Sequence, residues 1–409
     1  MRMRTAFAGL VALALVGGGL TGSGRDRPGA PLLRGDVRPV GDVTGPDAAT
    51  LGRADTSFGL SLLSAATAGT TRNVVLSPAS VASGLGMAYQ GARGGTATAM
   101  SRALCLPATG TALTAGLRAR TAALAALPGV AASDTVWVDP GARTAPGYLD
   151  RLATAYDTGV RQVPMHADPA GSADAVNDTI SAQTHGEIPR LVEPGQLRGL
   201  GWLLTDAVYL NARWAVPFDP DETAPGPFRT TGGTVTARYL NAHLAVRYAH
   251  RDGWTAVALP YRGGRLEMLA LLPDGDARAP SAPALAALSA ALAPTRLDVA
   301  LPKVDLSYSA DLRDPLRHMG MGSAFEPGAD FTGISPDAGP IAFVAHRATL
   351  RVAEKGTVAA AATAVGITDT AAPVRLRSVR FDRPYLMLVR DTRTGELLFL
   401  SRVTDPTRS

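Results

Sequence analysis

Past about residue 52 the apolar positions follow two spacings in turn. Phe58, Leu62, Leu63 and Ala66 fall on one face of a helix. Residues 73–76 form a short apolar run that predicts a buried strand. Ser77 then caps a second helix, with Pro78 at its first position, where a missing N–H costs nothing. That helix carries Val81, Leu85 and Met87 and ends near Gly91. Strands are predicted over 135–138, 203–210, 257–260, 266–272, 296–301 and 341–352, and helices over 145–156, 174–183 and 281–292. Gly263 and Gly264 join two of the strands by a tight turn. The chain closes on a hairpin, 385–390 and 396–403. Helices come early, long strands late, and the two are not interleaved. A doubly wound parallel sheet is therefore disfavoured; the expectation is an α+β fold with large, mostly antiparallel sheets. Without a repeat or a second linker, residues 52–406 read as one domain.

The first fifty residues have a different character. Arg2 and Arg4 precede an apolar run over 6–20, and Gly22, Ser23 and Gly24 follow, which is the order of a signal peptide over 1–23. The run is too short and glycine-rich for a membrane span, and Ser23 stands where a lipoprotein signal would carry its cysteine. The expectation is an exported, extracellular protein with no membrane attachment after cleavage. Residues 24–51 are rich in Gly, Pro, Arg and Asp and predict a flexible linker. Cys105 is the only cysteine, so no internal disulfide is available, and its apolar neighbours Leu104 and Leu106 predict a buried, inert thiol. The net charge of +5 is spread over 409 residues without a basic stripe, which argues against nucleic acid.

Enzyme chemistry finds little support. There is no G-x-S-x-G elbow, no H-E-x-x-H, no Cys/His metal cluster and no phosphate loop. The residues three before Lys303 and Lys355 are Ala300 and Val352, which removes the S-x-x-K enzymes. The six histidines are scattered. No cofactor or metal is expected.

The tail carries a more specific pattern. Phe381-Asp382-Arg383-Pro384-Tyr385 fits F-x-[RK]-P-[FY], and Glu354-Lys355-Gly356-Thr357 stands upstream of it. Between them runs Val358-Ala359-Ala360-Ala361-Ala362-Thr363-Ala364-Val365. Further back come residues 73–80, with the form N-x-x-x-S-P-x-S, then 91–96, then 207–214 with Pro217-Phe218. Leu259-Pro260-Tyr261, Leu271-Leu272-Pro273-Asp274 and Leu301-Pro302-Lys303 complete the series. In this order, these motifs resemble the serpin family over residues 52–406. The resemblance implies the serpin fold: three mostly antiparallel β-sheets, about eight or nine helices and an exposed reactive-centre loop. It implies a monomeric inhibitor of serine-type endopeptidases that is cut as a substrate, inserts its loop into the central sheet and traps the protease as a covalent acyl complex.

The loop residues suit that role on physical grounds. From Gly356 to Thr368 there is no charge and nothing larger than isoleucine. Such a stretch also reads as an alanine-rich helix or a low-complexity linker. A segment entering a preformed sheet must bury what it carries, and an unpaired buried charge costs several kcal/mol. Side chains alternate in a strand, so Thr357, Ala359, Ala361, Thr363 and Val365 would share one face. About a dozen new hydrogen bonds at roughly 0.5–1.5 kcal/mol each give on the order of 10 kcal/mol, comparable to the whole stability of a domain. The uncut form would be kinetically trapped. At ~3.3 Å per residue, inserting residues 357–370 would carry an attached protease about 45 Å.

The resemblance implies a hinge over Glu354, Lys355, Gly356, Thr357, Val358, Ala359, Ala360, Ala361 and Ala362. It places the reactive bond at Thr370-Ala371, with Ile367, Thr368 and Arg375 as alternatives. Small uncharged residues there point to an elastase-like or subtilisin-like extracellular target. Ser77, Ser80, Asp206, His346 and Trp214 fall where serpins keep groups that control sheet opening; a cap or core role is the plainer reading of each. Asp206 replaces the usual asparagine, and beside His346 it would make opening pH-dependent. Val358 replaces the glutamate usual in inhibitory members. A non-inhibitory serpin acting as a binding or carrier module is the alternative, and a secreted hydrolase a more remote one.

Overall fold

The structure, a computed structural model, describes residues 31–36, 46–357 and 377–409, without the side chains of 131–134 and 206–207. The expected signal segment, Val358 to Ala362, and the Thr370-Ala371 bond lie outside the described residues.

Among the described residues the strands form three sheets, mostly antiparallel, with helices packed around them. The largest has nine strands, and its centre is Leu266–Pro273 paired with Trp254–Pro260 on one side and Tyr385–Asp391 on the other. These strands read as unbroken apolar runs because both faces are covered. Leu269 and Leu271 enter one core while Met268, Ala270 and Leu272 enter another. The first core receives the helix Ala48–Thr67, whose Phe58, Leu62 and Leu63 are buried. Asp47 starts that helix, its carboxylate accepting from the Thr50 N–H at 2.7 Å.

The other two sheets have four strands each. One runs Leu32–Leu33, Val160–Gln162, Val130–Val138, Trp202–Leu210. The other runs Val304–Asp311, Ala345–Ala353, Gly356–Thr357, Ala212–Arg213. Ala212–Arg213 continues the line of Trp202–Leu210 past Asn211. The two sheets are thus halves of one surface, split down the middle and joined only at the top. The helix Pro169–Gln183 lies on the first half, where Val176 and Ile180 pack with Trp137 and Leu203.

Several expectations need correction. The linker expected over 24–51 is ordered in part. Leu32–Leu33 pairs with Val160–Gln162 as an edge strand, Arg34 pairs with Asp157, and a helix begins at Ala48. A Cβ at Gly159 would strike the Leu33 carbonyl, and one at Gly35 the Asp150 backbone, so both glycines permit the close approach. The strand expected over 341–352 starts only at Ala345, where Val304–Asp311 begins to pair with it; residues 341–344 have no ladder partner. Cys105 is exposed, not buried. The helix Gly94–Ala103 has ended, Cys105 takes a left-handed φ of 53°, and Leu104 occupies the core in its place.

Candidate functional site: a split sheet with a seated hinge

At the top of the split, Gly356 and Thr357 sit between two strands. Thr357 pairs with Val352 on one side and Ala212 on the other; Gly356 pairs with Ala353 and Arg213. Gly356 has φ +146°, and a Cβ there would strike the Ala212 carbonyl oxygen. Only glycine fits this hinge. Thr357 is 1% exposed, and its hydroxyl shares a 2.7 Å hydrogen bond with the Tyr261 hydroxyl. Tyr261 is fully buried, which pushes its phenol pKa up.

Trp214 organises this corner. Its ring stacks on Tyr261 at 4.5 Å between centroids. Its indole N–H donates to the Ala353 carbonyl at 2.9 Å, and its backbone N–H to the Lys355 carbonyl at 3.0 Å. The Phe218 N–H donates to the Glu354 carbonyl at 2.8 Å. Lys303 Nζ reaches both oxygens of Glu354, at 2.7 and 2.9 Å, and the Thr223 hydroxyl donates to it at 3.0 Å. Burial works against the charge of Glu354, but Lys303 and the other donors outweigh it and hold the carboxyl below its ordinary range. The turn from Ala353 to Gly356 is therefore tied at every residue. The chain alone does not link Tyr261 to this corner; only the fold brings it to Thr357.

Halfway down, His346 faces the start of the helix Pro78–Tyr89. The Ser77 N–H donates to His346 Nε2 at 3.4 Å. His346 is buried, and desolvation pushes its pKa down to about 4 against a hydrogen bond to the Val75 backbone. It is neutral at neutral pH. Ser77 occupies the cap position but makes no side-chain cap; its hydroxyl is buried without a partner among the described residues. This corrects the expected capping role: the backbone alone closes the turn, Val81 N–H to Ser77 carbonyl at 3.0 Å. Ser80 is buried one turn on. Asp206 pairs by its backbone with Asp134, but its side chain lies outside the described residues.

At the foot the two halves diverge around a cavity of about 510 Å³. Its walls are residues 199–204 on one side and 337–346 on the other, with Ser80, Val81 and Leu85 of the helix behind. That helix is pinned by a buried guanidinium. Arg120 meets Asp55 at 2.5 Å and Glu396 at 3.0 Å, and donates to the Ser83 hydroxyl and the Ala79 carbonyl. No local pattern in the chain points to this cluster, because Arg120 meets Glu396 276 positions away and its other partners come from two further helices.

The signature residues are structural. Phe381 and Tyr385 are fully buried with ring centroids 5.3 Å apart. Arg383 donates twice to the Pro273 carbonyl, at 3.1 and 2.8 Å. Pro384 lies between them at the start of the strand Tyr385–Asp391. Among the described residues there is no cluster of three or more metal-ligating side chains, and no helix is long and apolar enough to cross a membrane.

Comparison with known proteins agrees with this architecture. A family model described as Serpin (serine protease inhibitor) matches residues 53–406. An uncharacterised serpin-like protein of Thermococcus kodakarensis is 34% identical, over 83% of this chain and 82% of that one. Human Serpin B8 is 30% identical, over 82% of this chain and 94% of its own length. Iripin-2 of Ixodes ricinus is also 30% identical, over 87% and 93%. Among solved structures, the thermophilic serpin Tengpin in its native state superposes with a TM-score of 0.79 at 20% identity, covering 92% of this chain and all of that one. The thyroxine-binding globulin complex with thyroxine gives 0.75 at 22% identity. The chain belongs to the serpin family, the serine protease inhibitors.

Proposed function

We propose that this chain is an exported inhibitor that traps a serine protease by loop cleavage and insertion. The observation that carries the reading is the register at the top of the split. Thr357 stands opposite Val352 and Ala212, in antiparallel ladders on both sides. Continued downward without a shift, the same register would set Thr363 opposite His346, and Val365 opposite Val344 and Leu204. Thr370 would fall at the level of Gly339 and Gly199, beyond the end of the strand Trp202–Leu210. The family resemblance puts the reactive bond at Thr370-Ala371, and the flanking strand, which begins at Trp202, would reach Ile367 in this register.

Thr357 shares its buried face with Val352, Leu350, Ala348 and His346. Ala359, Ala361, Thr363 and Val365 would follow onto that face. Small uncharged side chains suit it, since a charge would have no partner there. The protease attacks as on any substrate, its serine forming an ester with the Thr370 carbonyl. Cleavage frees the loop, insertion drags the protease away from its productive geometry, and the ester persists. Small residues flanking the bond suit an elastase-like or subtilisin-like enzyme. Export follows from the signal-like residues 1–23.

The test is incubation with subtilisin, elastase and trypsin, read by denaturing gel and intact mass. A protease-linked band and a released peptide beginning at Ala371 are expected. Cleavage in the loop with no linked band would contradict the trapping mechanism.

A further inference from the structure

We propose that a second cavity, between the helices Pro78–Tyr89, Gly110–Ala125 and Tyr148–Tyr156, binds a small organic phosphate monoester, its phosphate held by Arg93 and Arg151. This site goes beyond the inhibitor reading and does not depend on it.

The two arginines come from different elements and meet at one corner. The Gln90 carbonyl, at the end of the helix Pro78–Tyr89, accepts from Arg151 Nε at 3.1 Å and from Arg93 Nη1 at 3.5 Å. Gly333 lies against both. Its carbonyl accepts from Arg151 Nη2 at 3.0 Å, and a Cβ on it would strike Arg93 Nη2. The remaining acceptor is again a carbonyl, that of Ala92, 2.8 Å from Arg93 Nη1. Among the described residues neither guanidinium has a carboxylate within ion-pair distance. Two like charges therefore share one corner with neutral partners. Burial, and then the charge of Arg93, push the Arg151 pKa down. The carbonyls of a helix end explain why cations gather here. They leave Arg93 Nη2 and Arg151 Nη1 without an acceptor among the described residues. A dianionic oxyanion would meet both with charge-assisted hydrogen bonds and relieve the repulsion.

The carboxylates nearby are engaged elsewhere. Asp330 accepts from the Thr332 N–H and hydroxyl, at 3.1 and 2.6 Å, and is not part of the wall. Asp150 is in the wall and accepts from the Asp36 N–H at 3.0 Å.

The rest of the cavity sets the ligand class. Its volume, about 770 Å³, lies in the range of small-molecule pockets and leaves room beyond a phosphate group. Ala92, Ala97, Leu113 and Pro146 give that room an apolar wall. The ligand therefore carries an apolar body beside its phosphate.

The probe is phenyl phosphate, with inorganic phosphate as the headgroup alone. Equilibrium dialysis of labelled phenyl phosphate against the full chain should give one saturable site. Inorganic phosphate should bind about tenfold more weakly, because the burial of the ring is lost. R93Q, at an exposed position, should weaken phenyl phosphate about tenfold, the loss of one charged donor. T111E, which sets a carboxylate in the exposed part of the same wall, should weaken it at least about fivefold. R118Q removes an exposed arginine of the same helix that lies outside the cavity, and should bind like the unmodified chain. Absence of a saturable site overturns the proposal, as does unchanged binding in both R93Q and T111E. A loss in R118Q equal to that in R93Q also overturns it, since the attraction would then be diffuse. Equal affinity for phenyl phosphate and inorganic phosphate overturns the claim that the ligand is an organic monoester.

Discussion

The top and the foot of the split sheet differ in how they are filled. At the top, two residues of the loop are already seated. Gly356 and Thr357 have ladder partners on both sides, and Tyr261, Trp214, Lys303 and Thr223 close around the turn. At the foot the segments 199–204 and 337–346 face each other across about 510 Å³ of space. One end of the slot is satisfied and the other is not. A chain that starts insertion from a seated hinge has already met the entropy cost of nucleation, and each further residue adds partners it lacked. On the proposed mechanism, the restraint on insertion would lie in the uncut loop's attachment at its far end, to Arg377–Arg380, and in the ties at the top.

The largest way to break this contrast is to put a charge where the hinge sits. Thr357→Arg should abolish trapping, because the seat is buried and offers no carboxylate; the cost is several kcal/mol. The measurement is the fraction of protease recovered in an SDS-stable complex, expected to fall by at least about a hundredfold.

Acid comes next. His346 is held neutral with its pKa pushed down to about 4, below the ordinary value of about 6.5. Above about pH 6.5 neither folded nor unfolded chain protonates it, and stability is flat. Between about 6.5 and 4 the unfolded chain takes up the proton and the native fold does not, so stability falls, by on the order of 3 kcal/mol in all. Urea unfolding across this range should show the decline, and His346→Gln should remove most of it.

A smaller effect is expected at the ion pair. Glu354→Gln keeps the shape but loses the charge facing Lys303, at a cost of about 1–2 kcal/mol for this part-buried site. The top of the split is then looser, and uncut protein should lose inhibitory capacity faster on warming, by roughly tenfold. Tyr261→Phe is the mildest. It removes one hydrogen bond to Thr357, about 1 kcal/mol. Limited proteolysis within residues 358–376 should quicken by about fivefold, with little change in melting.

Much of this was legible in the chain. The apolar runs of 266–272 and 385–390 predicted buried strands, and the structure pairs them directly. The hinge and the signature were found by motif, and Gly356 stands where only glycine fits. What the chain concealed was long-range. Arg120 looks like any helical arginine until Asp55 and Glu396 close around it. Local sequence favours a side-chain cap at Ser77, but its backbone turns to His346 instead. The run of 341–344 has strand composition and no strand, since pairing there needs a neighbour that the split sheet withholds. Cys105 shows the opposite case: apolar neighbours say nothing about which residue a helix end turns outward.

The most direct test remains the product of the protease encounter. Subtilisin or elastase, mixed with the full chain, should yield an SDS-stable complex and a free peptide whose first residue is Ala371. A clean cut between Gly356 and Phe381 with fully active protease and no linked species would contradict the trapping mechanism.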